Sequence, residues 1–454
     1  MNQLYLPSRP VAKAPRFDGK KTKPSPLILG FLIVLCLPST IATYMGDVLI
    51  TPYRVYMLAL LPYLLFRLVT DKAVRAGPAD FLLISYSLWS AYCMVSNIEG
   101  GYQRAGQMIL ESVSAYILAR VTVRSIDDLL YIVKWLFILS FVAFVLAIPE
   151  AITHKKFIMD ITSSLTGMQY AQYAPGADVR MGLRRPQAFF SNTILYGLFC
   201  ASCISLVWYT TGATASRIYK AVVLAMAAAI SLSSAPLLAM NVQFTMIAGE
   251  FLTRGVKNRV SFTLILSIVM TLIMNATTNS GVIGFIVNHL TFNQASAFNR
   301  VLIWNWGLYN IKANPIFGLD ADNWVRAEYM KASCDNYWIV ITMLGGIPAL
   351  LFLLAGIFVT FRNWGKLDLR GLPPIYNKFR TGWFFCYIAF AFTGFSVMFF
   401  GGLQPLFFFF LGLAGAGIPI YKVALQQARK TPAVRRPERG VPLPANTQSS
   451  VHVF

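Results

Sequence analysis

The stretch "SCDNYWIVITMLGG" sets a carboxylate and an amide, Asp335 and Asn336, where a polar segment runs into a long apolar one. A carboxylate at such a join can orient a hydroxyl or accept its proton. The pair also suits a plainer task, capping the helix that follows. Arg184 and Arg185 precede another apolar run, and Arg300 and Arg326 precede the Asp335 segment. A guanidinium pairs bidentately with phosphate and keeps its charge when partly buried. Taken singly, each arginine is explained by solvation or by a salt bridge to Asp320, Asp322, Glu328 or Asp335. As a group beside a membrane they suit a phosphate ligand. Glu111 stands inside an apolar run, where a carboxylate is usually paired or functional. Arg104 lies two turns earlier, out of reach along the helix, so the partner of Glu111 must come from elsewhere.

Other chemistry is thin. "DAD" at 320–322 has the form that holds a divalent cation in many sugar transferases, but no third ligand accompanies it and no metal is expected. His154, His289 and His452 are scattered, which excludes a readable zinc site or Ser-His-Asp triad. Neither a phosphate-binding loop nor a dinucleotide fingerprint is present, so no cofactor is expected. "CASC" at 200–203 lies in an apolar helix and reads as packing.

These residues sit in a chain that is 56% hydrophobic and only 13% charged. Apolar runs of roughly 20 residues are long enough to span a bilayer as helices. About twelve spans are expected, near 27–43, 55–69, 80–96, 105–119, 128–148, 188–210, 218–232, 236–252, 260–275, 337–360, 382–399 and 403–421. The expectation is an all-α polytopic membrane protein. A basic segment, 1–26, precedes a membrane domain, 27–425, and a tail, 426–454, follows it. The net charge of +21 follows from orientation, because basic residues mark cytoplasmic loops. Lys72, Arg124, Lys257, Lys366 and Arg380 all fall on the side of the N-terminal segment. Both termini are thus expected inside, and nucleic acid is not needed to explain the charge. The first run is expected to be an uncleaved anchor. At "LSSAP", 232–236, two short spans compete with one broken helix.

Two outer loops are long, 149–187 and 276–336. Within the second, Val301, Trp304, Leu308 and Ile311 share one helical face, and Pro315 with Gly318 ends the run. On span eight, Asn241, Gln243 and Glu250 form a polar stripe.

Four stretches resemble the O-antigen ligase and Wzy-type polysaccharide polymerase family, most closely its exopolysaccharide polymerase members. They are "AGQMILESVSAYILARVTVRS", "RRPQAFFSNTILYGLF", "NRVLIWNWGLYNIKANPIFGLDADNW" and "SCDNYWIVITMLGGIPA". The resemblance covers about 105–420 and implies a GT-C-like fold with periplasmic loops. It implies inverting transfer of glycan from undecaprenyl diphosphate, without a metal, alongside partners such as a flippase and a chain-length regulator. Asp335, Arg300 and Arg326 take catalytic positions, and Arg184, Arg185, Asn192, Trp304, Asn336 and Glu111 take substrate-binding ones. The chain departs from the family pattern at Asn192 and Thr193, where His-Pro is usual, and at Ala349, where Gly is usual. Asp335 replaces the ligases' His, which favours a polymerase over a ligase moving glycan to lipid A core or protein. A transporter using Glu111, or a non-catalytic scaffold, would be a different class. No internal repeat of the kind transporters often show is visible.

The charge bias makes a direct prediction. In sealed right-side-out vesicles, an impermeant maleimide is expected to label a cysteine placed at Lys312 and to spare one placed at Lys366.

Overall fold

The computed structural model describes residues 24–45, 48–71, 74, 76–170, 178–253, 294–330 and 333–430. They are mostly helical. The helices are α1 (Pro26–Leu35), α2 (Pro52–Thr70), α3 (Pro78–Asn97), α4 (Gly101–Ile109), α5 (Ala115–Thr122), α6 (Ile126–Thr153), α7 (Phe157–Thr166), α8 (Thr193–Ala201), α9 (Ile204–Thr210), α10 (Thr214–Ile230), α11 (Ser234–Leu252), α12 (Gln294–Ala313), α13 (Tyr337–Gly365), α14 (Pro374–Thr393) and α15 (Leu403–Lys430). A π-helical turn, Leu110–Ser114, joins α4 to α5. Two short hairpins, Thr43–Met45 with Val48–Ile50 and Val179–Arg180 with Leu183–Arg184, are the strands among the described residues.

Among the described residues, six segments are long and apolar enough to cross a membrane: Pro52–Thr70, Ile126–Thr153, Thr193–Thr210, Ser234–Leu252, Tyr337–Gly365 and Leu403–Arg429. The chain therefore has the architecture of an all-α multi-pass membrane protein. Helices α3, α10 and α14 pack among them. The first expected span, 27–43, stops as a helix at Leu35, because Pro38 follows and the chain turns into the first hairpin. The expected ninth span, 260–275, and the termini lie outside the described residues. Helix α15 runs on to Lys430, past the expected domain boundary at 425. At 231–233 the chain turns between two separate helices, with Leu232 in a left-handed conformation, φ 48°.

Where backbone is broken inside the bundle, side chains repair it. Helices α8 and α9 part at Ser202–Cys203. Gln243 of α11 fills the break: its Oε1 accepts from Ser205 N at 2.9 Å, and its Nε2 donates to Ala201 O at 2.7 Å. The stripe on span eight thus includes a structural amide, since a backbone group left unpaired in an apolar interior costs several kcal/mol. All six cysteines are free and buried, including Cys200 and Cys203. At the end of the bundle away from Asp335, Arg120 grips Asp80 with Nε and Nη2 at 2.9 and 3.0 Å, and the Tyr116 hydroxyl adds a bond of 2.6 Å.

The element that positions the site is α13. It is kinked at Gly346, whose φ of 67° and ψ of −177° are open essentially only to glycine. The loop after α12 docks into this kink by backbone pairing. Ile347 N donates to Pro315 O at 2.7 Å, and Leu319 N donates to Met343 O at 2.5 Å. Gly318, at φ 70°, lies so close that a Cβ there would meet Met343 O at 2.2 Å; one on Gly346 would meet Ile316 O at 1.9 Å. Gly346→Ala and Gly318→Ala are each expected to cost about 1–3 kcal/mol or more. Gly371 also has a positive φ, 93°, but nothing within 4 Å, and Gly371→Ala is expected to cost less. Unfolding of the three variants in detergent measures the difference.

Candidate functional site

Asn336 performs the capping that the sequence allowed either residue of the pair to perform. Its Oδ1 accepts from Ile339 N at 3.1 Å, and its Nδ2 donates to Phe395 O at 3.2 Å. It is 1% exposed, so its amide holds the start of α13 to the 394–397 turn. Tyr337 N reinforces that contact by donating to Gly394 O at 2.8 Å. With the cap supplied by Asn336, Asp335 lies exposed at the wall of a cavity of about 460 Å³. Cys334 beside it is buried, and its thiol is pushed up to about 12 by that burial and by the Asp335 charge.

The cavity lies between α3, α4, the loop before α13, and α13 itself. Four charged residues line it: Arg104, Glu111, Asp322 and Asp335. Arg104 reaches Asp322 at 2.5 Å and Asp320 at 3.5 Å. The two carboxylates of "DAD" are thus tied to an arginine, and they anchor the loop across α4. Among the described residues no group of three or more His, Cys, Asp or Glu is gathered to hold a metal.

Glu111 sits on the π turn and is 5% exposed. The extra residue in such a turn displaces the helix locally, a feature frequent at functional sites. The partner comes from the next helix over: Arg54 Nε donates to Glu111 Oε1 at 2.8 Å, and the Tyr53 hydroxyl donates to the same oxygen at 2.9 Å.

Arg300 does not line the cavity but lies within electrostatic reach of Asp335. Burial pulls its guanidinium down from the ordinary value, and the Asp335 carboxylate opposes that shift. Its Nη2 donates to Ser234 Oγ at 2.8 Å. Arg180, whose charge also reaches Arg300, donates to Leu232 O at 2.7 Å. Arg326 is half-buried and donates to Trp324 O at 3.3 Å.

The other expected residues are not gathered here. Arg184 and Arg185 converge on the buried Asp178, at 3.7 and 4.0 Å, together with the fully buried Lys156 at 3.2 Å. Arg184 also donates to His154 O. Asn192 caps α8, its Oδ1 accepting from Leu195 N at 2.8 Å. Trp304 stacks on Phe395 with ring centroids 6.0 Å apart.

The expected apolar face of α12 is corrected. Leu308 is exposed and Val301 and Trp304 are half-buried, while Ile303, Gly307, Asn310 and Ile311 form the buried side. Gly307 lets the helix approach Ile339, which a Cβ would meet at 2.5 Å. Asn310 pairs with both backbone groups of Val325, at 2.9 and 2.8 Å. A reading by apolar residues alone misses a face built on a glycine and an asparagine. Sequence reasoning also passed over Arg54, Arg180 and Asp178. An arginine inside "TPYRVYML" was the available signal for the first.

Compared with known proteins, the chain matches no family model and no curated protein.

Breaking the Arg54–Glu111 pair leaves a carboxylate unpaired in the interior. Arg54→Met is expected to destabilise by about 3–5 kcal/mol, and Arg54→Met with Glu111→Leu to recover most of that. Thermal unfolding of the purified variants reads both.

Proposed function

We propose that the chain is a glycosyltransferase of a bacterial inner membrane that joins lipid-diphosphate-linked oligosaccharide repeat units into a polysaccharide. The observation that carries this reading is Asp335: a carboxylate relieved of capping duty, on a cavity wall, with the Arg300 cation within electrostatic reach. In this reading the chain crosses the membrane about twelve times, both termini are cytoplasmic, and 149–187 and 276–336 face the periplasm.

A sugar hydroxyl of the acceptor, itself a lipid-linked repeat unit, attacks the anomeric carbon of the donor from the face opposite the diphosphate. The new C–O bond forms as the bond to the lipid diphosphate breaks, which inverts the centre. Asp335 takes the hydroxyl proton, and the diphosphate departs with the bonding electron pair. Arg300 and Arg326 stabilise the charge that develops on the leaving phosphates. Arg184 and Arg185, partly exposed beside Asp178, form a second basic group that can hold the rest of the diphosphate-bearing substrate. Asn336 keeps Asp335 in place. An aspartate at 335 favours polymerisation over transfer to a lipid A core or a protein. The donor glycan arrives on undecaprenyl diphosphate, supplied by a flippase, and product length is set by a separate regulator.

The test is complementation of a strain lacking the chain, with glycans resolved on a gel. Asp335→Asn is expected to lower polymer formation about 10²–10⁴-fold, and Arg300→Ala about 10²–10³-fold, with single repeat units accumulating. Full-length polymer from Asp335→Asn at normal protein level overturns the reading in favour of a scaffold. Accumulation of finished lipid-linked chains indicates a ligase.

A further inference from the structure

A second cavity, of about 570 Å³, opens at the end of the bundle away from Asp335, between the start of α3, the C-terminal part of α13 and α15. The charge bias of the sequence assigns this end to the cytoplasmic side. Three charged residues line it, Asp80, Arg120 and Lys422. Two of them cancel. The Asp80 carboxylate accepts from Gly77 N at 2.7 Å, from the Tyr116 hydroxyl at 2.6 Å, and from Arg120 Nε and Nη2 at 2.9 and 3.0 Å. Arg120 spends Nη1 on Gly415 O. Asp80 is buried and ion-paired, so it presents no unpaired charge to repel an anion.

Lys422 is the charge left over. It is exposed, and among the described residues it has neither an ion pair nor a hydrogen bond. Two other carboxylates at this end have arginine partners of their own: Asp71 pairs with Arg67 and Arg124, and Asp368 with Arg370. The side-chain amides of Asn363 and Gln426 also line the cavity, and among the described residues they make no hydrogen bond. An ammonium flanked by two amides, all with N–H donors to offer, suits an oxyanion. One uncompensated positive charge matches the single negative charge of a phosphodiester.

The apolar lining indicates what carries that phosphodiester. Ile418, Pro419 and Val423 face the cavity beside Lys422, and Val423 is 51% exposed. Pro78 lines the cavity from α3, and Phe81, three residues on and therefore neighbouring it on the helix surface, is 63% exposed. A soluble phosphodiester gains nothing from such surface, whereas a lipid brings glycerol and acyl chains to it.

We infer that this cavity binds the phosphodiester headgroup of an anionic lipid of the cytoplasmic leaflet, with Lys422, Asn363 and Gln426 on the phosphate and the apolar edges of α3 and α15 beside the chains. The inference is independent of the glycosyl-transfer reading.

The test is native mass spectrometry of the purified full chain in detergent. It is titrated with phosphatidylglycerol, with zwitterionic phosphatidylcholine, and with glycerophosphoglycerol, the first lipid's headgroup without its chains. Phosphatidylglycerol is expected to be retained at least about fivefold more strongly than phosphatidylcholine. Lys422→Met, which breaks no contact among the described residues, is expected to remove most of that preference, and Lys422→Arg to keep it. Asn363→Leu is expected to weaken phosphatidylglycerol several-fold. Lys366→Met is the control: Lys366 is exposed at the same end but does not line the cavity, and its loss is expected to change little. Equal retention of the two lipids, or equal losses in Lys422→Met and Lys366→Met, overturns the inference. Glycerophosphoglycerol binding as tightly as the lipid assigns the site to a soluble phosphodiester and overturns the lipid as its occupant.

Discussion

The docking of one loop into one kinked helix is the constraint on which the site depends. At Gly346 the backbone of α13 leaves helical geometry, and two of its backbone groups become available to a neighbour. The 315–319 loop takes them at 2.7 and 2.5 Å. Glycine at 318 and at 346 is the steric condition for this approach. The described residues between Asp320 and Asp335 lie between that junction at one end and the Asn336 cap at the other. The wall that carries Asp322 and Asp335 is therefore held at both ends by backbone contacts, which suits a site needing fixed geometry.

Inside the bundle, a second rule organises the polar residues. An apolar interior offers no water, so each buried charge or broken backbone requires a partner. Arg120 with Asp80, Arg54 with Glu111, and Gln243 at the α8–α9 break each meet that requirement. Replacing such groups by apolar ones of similar volume is often neutral or stabilising, so their value is not simple stability. Glu111 illustrates the alternative. One carboxylate oxygen is committed to Arg54 and Tyr53, which fixes a side chain that also lines the cavity.

The two arginine groups are distributed with the same logic. Arg184 and Arg185 surround the buried Asp178 with Lys156 near the second hairpin, and the charges of Lys156 and Arg184 also reach the buried Glu150. Arg300 stands near Asp335 with Arg180 beside it. Arg300 and Arg180 lie outside the cavity lining, whereas the lining carboxylates Glu111 and Asp322 are paired with Arg54 and Arg104.

Apolar length, charge bias and local signals were legible in the amino-acid sequence, because each is a property of a contiguous stretch. Long apolar runs can satisfy their backbone only as helices, so the helical membrane architecture followed directly. Asp335 and Asn336 were visible at the head of α13, as were the glycines behind them. The partner of Glu111, the pairing of "DAD" with Arg104, and the buried face of α12 were not. Each joins residues from distant parts of the chain, and each turns on residues such as Arg54, Gly307 and Asn310 whose type alone does not reveal what they touch. The division of capping from exposure between Asn336 and Asp335 was decided by tertiary structure as well, since only the packed 394–397 turn gives the Asn336 amide its second partner.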